Sequence, residues 1–272
     1  MTVYHSLFTY VNNTISINVS SNIKHYDEAV LYVDASCVDN SGINNKKTNQ
    51  EVVQKRPECV VECDDEKIKI LRNKFTTGGS NEITRKGWVT DHEPFYDSNV
   101  FTYMELATID TNDLPKSGDI CLDAAHGGDG TNKSIDGKMF FSKWDGVKQG
   151  RFGINTCVKK GDLEQTNTPI DDYTCAENYI HVWYNDGTKI NRYYFVDQVG
   201  IRLTSDILDG THVHTVTYDG SIFKLYIDDL EVGQVEAKLA LKPINSQFYL
   251  YDAMICGEYY CLCVWNNQVL SA

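Results

Sequence analysis

The chain has 272 residues, with 38 Asp and Glu against 25 Lys and Arg and a formal net charge of −13. No basic cluster of the kind that releases counterions from nucleic acid is present, and the longest apolar run falls far short of the roughly 18 to 20 residues a membrane helix needs. Seventeen Tyr and ten Phe beside four Met favour strands and turns over helices, and the length suits one large all-β domain spanning residues 1–272.

The N-terminus, Met1-Thr2-Val3-Tyr4-His5, lacks a basic segment followed by an apolar one. Two settings are consistent with that: an extracellular or particle-surface protein trimmed of its leader, or a protein acting inside a cell or virus particle. Thr14 to Ser20 alternates cleanly, and Ala29 to Val33 is an apolar run suited to a buried strand. Residues 39–66 are rich in Asn, Lys, Glu and Asp and read as a polar, Cys-containing surface insertion, with Cys59-x-x-x-Cys63 as a loop staple.

From Val100 the rhythm becomes regular. Strands are expected at Val100 to Ile109, Asp119 to Ala124, Lys138 to Trp144, Gly150 to Val158, Tyr179 to Tyr184, Ile190 to Val196, His212 to Tyr218, Ile222 to Ile227, Phe248 to Ile255 and Tyr259 to Trp265. With turn signals between them and no helical period, they predict an antiparallel two-sheet β-sandwich of jelly-roll type. The nine Cys favour disulfides, with reduced core thiols as the alternative and zinc disfavoured for want of a second ligand pair near Cys59 and Cys63. Cys261 and Cys263 share one face of a strand, so they pair elsewhere or pack as small apolar residues rather than bond each other.

The stretch from Asp209 to Gly233 is the most informative. His212 to Tyr218 is β-branched and alternating, Asp219-Gly220 is a strong hairpin turn, and Phe223, Leu225 and Ile227 fall opposite Lys224 and Tyr226. It resembles the signature hairpin of laminin-G-like domains in the concanavalin A-like lectin/glucanase superfamily, where a Gly-x-Trp-His-x-Val-Ala-Val-Thr-Tyr-Asp-Gly run precedes a Leu-Tyr-Val-Asp-Gly strand end. His212, Val216, Thr217 and Tyr218 match that pattern, whereas Thr211 stands where Trp is usual and Asp229 where Gly is usual. Cys256 to Ser271 is similar to the closing strand of these domains, with its Leu-Ser ending. The resemblance implies a concanavalin A-like jelly roll, a lectin-like or protein-recognition role with a glycan or surface protein as partner, and a calcium ion at the rim.

Two candidate sites follow. The loop from His126 to Gly137 offers Asp129 and Asp136, with Asp119 from the preceding strand, as oxygen ligands for Ca²⁺. The same Asp and Gly residues also suit plain hairpin turns. The second site is an aromatic and polar strand face. Alternation puts His181, Trp183 and Asn185 opposite Ile180 and Val182, and on the next strand Asn191 and Tyr193 opposite Ile190 and Arg192. A sugar ring stacks on aromatic rings while its hydroxyls bond Asn, Arg or His. His181, Trp183, Asn185 and Tyr193, joined by Arg151 and Asn155, therefore form the expected glycan-binding set. The competing reading makes Trp183 and Tyr193 sandwich core.

Catalytic residues are not assigned. The Glu-x-Asp-x-(x)-Glu pattern of retaining glycosidases on this fold is absent, since Ala107 follows Glu105 two residues on. A polysaccharide lyase, using His181, Tyr184 or Tyr193 as base and Arg151, Arg192, Asn155 or Gln198 to neutralise a uronate, is the alternative. A structural coat or surface protein is the third reading.

Overall fold

The computed structural model describes residues 8–11, 14–17, 28–29, 31–34, 42–45, 50–54, 61–63, 68–70, 88–90, 99–111, 121–122, 133–134, 142–144, 149–155, 158–159, 175–177, 179–186, 190–239, 247–250 and 257–270. Its first strands are β1 (Phe8–Val11), β2 (Thr14–Ile17), β3 (Leu31–Asp34), β4 (Gly42–Asn45), β5 (Gln50–Gln54), β6 (Val61–Cys63), β7 (Ile68–Ile70) and β8 (Trp88–Thr90). Next come β9 (Phe101–Ile109), β10 (Cys121–Leu122), β11 (Lys133–Ser134), β12 (Ser142–Trp144), β13 (Gln149–Asn155), β14 (Val158–Lys159) and β15 (Cys175–Glu177). The last are β16 (His181–Asp186), β17 (Ile190–Tyr194), β18 (Gly210–Tyr218), β19 (Ile222–Ile227), β20 (Leu230–Glu236), β21 (Gln247–Leu250) and β22 (Gly257–Asn266).

The fold is an all-β sandwich. An eight-stranded sheet runs β20-β19-β18-β9-β22-β7-β6, with β3 also paired to β22, and a six-stranded sheet runs β17-β16-β13-β12-β21-β8. Within 39–66, expected as a surface insertion, β4 and β5 form a hairpin of their own while β6 joins the edge of the larger sheet. Among the described residues no helix is long and apolar enough to cross a membrane.

Strand β9 is central because it is apolar on both faces. Phe101, Tyr103, Ala107 and Ile109 pack into a cluster with Ile154, Ile180 and Val182 of the smaller sheet, which makes the sandwich core. Met104 and Leu106 point the other way and pack with Tyr32, Cys261, Cys263 and Trp265. Both cysteines are thus buried on one strand face among apolar neighbours. A strand with both faces covered reads as a near-continuous apolar run, as Phe101 to Ile109 does apart from Glu105 and two threonines, Thr102 and Thr108.

Glu105 is the exception that fixes register. It lies in the interior opposite His214 of β18, its Oε1 accepting from Nδ1 at 3.1 Å, with both side chains at 0% exposure. The Tyr103 hydroxyl donates to its other oxygen at 2.6 Å. Two buried charged or polar partners stabilise a fold only while they meet, because either one alone retains its desolvation cost.

The β18–β19 turn follows the sequence closely. Gly220 adopts φ +97°, and the Asp219 Oδ1 accepts from the Ser221 and Ile222 amides at 2.8 and 2.7 Å. The next turn holds Asp228 and Asp229 at φ 49° and 70°, left-handed positions where glycine is usual. The Asp228 Oδ1 accepts from the Val213 amide at 3.0 Å, and that bond offsets the backbone cost.

The two sheets meet at a corner. Beyond β17, Val196 exchanges backbone bonds of 3.0 and 2.9 Å with Gln234 of β20. A Cβ on the adjacent Gly233 would lie 2.5 Å from Leu203 Cδ1 and 2.8 Å from the Val196 carbonyl oxygen, so only glycine lets the backbones approach.

Replacing Glu105 by Leu should destabilise the protein by about 3–5 kcal/mol in urea unfolding, and Glu105→Leu with His214→Leu should recover most of that loss. Simply additive losses would show that the two residues do not act as a pair.

Candidate functional site

Strands β13, β16 and β17 carry the residues that sequence alternation singled out. Directly opposed residues in antiparallel strands share a face. Asn155 stands opposite His181, Gly153 opposite Trp183 and Arg151 opposite Asn185, so these positions belong together by register. On the other side of β16, Tyr194 pairs with His181 and Arg192 with Trp183. Tyr193 pairs with Val182 instead and packs against the sandwich core. It therefore leaves the expected set, and Tyr194 and Arg192 enter it.

Depth divides the face into a floor and a surface. His181 is 1% exposed and Trp183 9%, so neither ring is open to solvent. Tyr179, Arg192 and Tyr194 are half-buried, and Arg202 is exposed. The Tyr194 ring meets the Tyr179 ring edge-on at 5.9 Å and tilts against His181 at 5.7 Å.

A rigid hairpin delivers Arg202. The Asp197 Oδ1 accepts from the Val199 and Ile201 amides at 2.9 and 2.8 Å, Gly200 turns at φ +85°, and Val196 bridges Arg202 across the base. Leu203 then donates to the Phe195 carbonyl at 2.8 Å and accepts from the Ile180 amide at 3.0 Å, tying this segment to the ends of the paired strands β16 and β17. Arg202 therefore lies over the Tyr194 ring at 4.2 Å from its centroid and at 5.6 Å from that of Tyr179. Planar cation on aromatic face is an electrostatically favourable stack. Sequence reasoning overlooked Tyr179, Tyr194 and Arg202; the Asp197 and Gly200 turn signal was the clue that a hairpin, and so a returning strand segment, follows β17.

Burial pushes the His181 pKa from 6.5 down to about 3, and the nearby Arg192 charge acts in the same direction. Its Nδ1 donates to the Tyr179 carbonyl at 3.1 Å. The neutral ring is a structural floor, and so weak a base is poorly matched to abstracting a substrate proton near neutral pH.

A second polar cluster closes the sheet rim. His212, at the position matching the laminin-G-like His, has Nδ1 2.6 Å from Asp228 Oδ2 and Nε2 2.9 Å from the Asp209 carbonyl. The Asp209 carboxylate accepts from the Thr111 amide and hydroxyl at 3.0 and 2.9 Å, which holds its pKa below the usual carboxylate value. These bonds tie the end of β9, the start of β18 and the β19–β20 turn together. Among the described residues no group of three or more His, Cys, Asp or Glu is placed to hold a metal ion, and Asp119, Asp129 and Asp136 lie outside those residues.

No protein-family model matches the sequence, and no curated protein matches it. Solved structures do share its fold. The binding domain of botulinum neurotoxin DC, solved in complex with SialylT, superposes with a TM-score of 0.50 at 10% identity, covering 90% of this chain and 49% of its own. A botulinum neurotoxin type C structure, described as interacting with two ganglioside molecules, gives 0.51 at 11% identity over 90% and 49%. The serotype C1 binding domain gives 0.51 at 10% identity over 90% and 50%. The chain thus spans about half the length of these structures, and the likeness is one of fold.

The His181 shift sets a pH dependence. Its folded pKa lies below the unfolded one, so the stability it contributes is complete above about 6.5 and falls as pH drops toward about 3. The limiting slope is about 1.4 kcal/mol per pH unit. His181→Asn, which keeps a donor for the Tyr179 carbonyl, should flatten unfolding free energy between pH 6.5 and 4, above the range where Asp209 and Asp219 titrate. An unchanged slope in that window would contradict this assignment.

Proposed function

We propose that this chain is a laminin-G-like carbohydrate-recognition module that binds a glycan on the face built by Tyr179, Tyr194 and Arg202. The observation that carries the reading is the half-buried Tyr pair with the exposed residue Arg202 lying over it, beside the edge strand of the smaller sheet. A sugar ring presents a C–H face to such aromatic rings and hydroxyls to neighbouring donors. Asn185, Arg151 and Asn155 belong to this face by register and would extend it along β16 and β13. His181 and Trp183 are the buried residues beneath it, and the Tyr194 ring tilts against that of His181.

The shared fold supports the reading, since two of the similar structures are described with SialylT or ganglioside molecules. An extracellular or particle-surface setting accords with it. The weak basicity of His181 weighs against a lyase that would use this residue as its base.

Retention on immobilised polysaccharides tests the proposal. Tyr194→Ala should weaken retention by about 1–3 kcal/mol, the size of base-on-aromatic stacking, while circular dichroism stays native. Retention equal to that of the unmodified protein would remove this face as the binding site, and release of new reducing ends would establish a polysaccharide-degrading enzyme instead.

A further inference from the structure

We infer that Arg202 makes this face selective for glycans that carry a carboxylate, an inference that rests on the glycan-binding reading above. Arg202 is exposed, and its guanidinium lies over the Tyr194 ring and near the Tyr179 ring. No carboxylate lies within ion-pair reach of it among those residues. Its N–H donors lie in the guanidinium plane, and neither ring can accept them as a carboxylate does, which leaves them for a planar, two-oxygen acceptor. Arg rather than Lys suits this role, because only the fork matches both carboxylate oxygens at once.

The position is preorganised. The Asp197-centred hairpin and the two bonds of Leu203 fix the backbone on either side of Arg202, and two rings restrain its side chain. Little rotamer freedom is left to lose when an anion arrives. Arg192, two residues before Tyr194 on the same face, adds a second positive charge beside the floor.

Net charge narrows the ligand further. At −13 the molecule repels polyanions at long range, whereas a contact within hydrogen-bond distance lies inside the Debye length of about 8 Å. The ligand that satisfies both is a mostly neutral glycan with isolated acidic sugars, such as terminal uronates or nonulosonates. A densely charged polymer does not.

The test measures retention on two immobilised probes, a sparsely glucuronylated arabinogalactan and a sialylated glycoprotein, each beside its carboxyl-reduced form. Unmodified protein should prefer at least one acidic form over its reduced counterpart by about tenfold or more, the size of one charge-assisted fork. Arg202→Gln should lower retention on the acidic form by about tenfold more than on its reduced counterpart, and Arg202→Lys should restore that difference only in part. Which probe shows the preference distinguishes uronate from sialate. Equal retention on acidic and reduced forms, or an Arg202→Gln loss that is the same on both, overturns the inference and leaves glycan binding standing. No retention on any of the four overturns both.

Discussion

Glu105 and His214 meet inside the sandwich with no access to water, and the alignment of the two central strands depends on that meeting. A slip of one residue between β9 and β18 would turn every side chain of one strand to the opposite face and part the pair. Register is therefore held by an interaction whose failure is costly as well as by apolar pattern. From it follow the positions of Tyr218 in the core, His212 at the rim and the Asp228 turn against Val213. The clearest physical role of such a pair is to penalise alternative registers, in which either partner would be buried alone.

The same alignment reaches the candidate site through the sheet corner. Strand β20 follows β19, which follows β18, and Gln234 of β20 receives Val196 from the other sheet. Gly233 makes that approach sterically feasible. Beyond the corner the chain folds back over the Asp197 hairpin and brings Arg202 onto Tyr194. The aromatic and cationic surface is thus placed by backbone bonds rather than by a flexible loop, which suits a recognition surface that must hold its shape.

Much of the fold was legible in the residues. The β-branched alternation and Asp219-Gly220 turn located β18 and β19 within a residue or two, and the apolar run from Phe101 located β9. The polar edge strand β20 has one buried residue in seven and so shows no apolar period of its own. Parity along β16 correctly separated His181 and Trp183 from Ile180 and Val182. It could not say which parity of β17 joins them: the register pairs Trp183 with Arg192 and turns Tyr193 against the core. Glu105 entered the sequence argument only as part of a missing glycosidase pattern. Its partner His214 lies 109 residues away, a separation that no local period reveals. Arg202 was hidden for a related reason, since it sits in a single bridge outside any named strand.

The most direct test of the account is a crystal structure of the protein soaked with an acidic oligosaccharide that it retains. The account predicts a sugar ring against Tyr194 with its carboxylate turned to the Arg202 guanidinium. Sugar density on another surface, with the Tyr194 face bare, would contradict it.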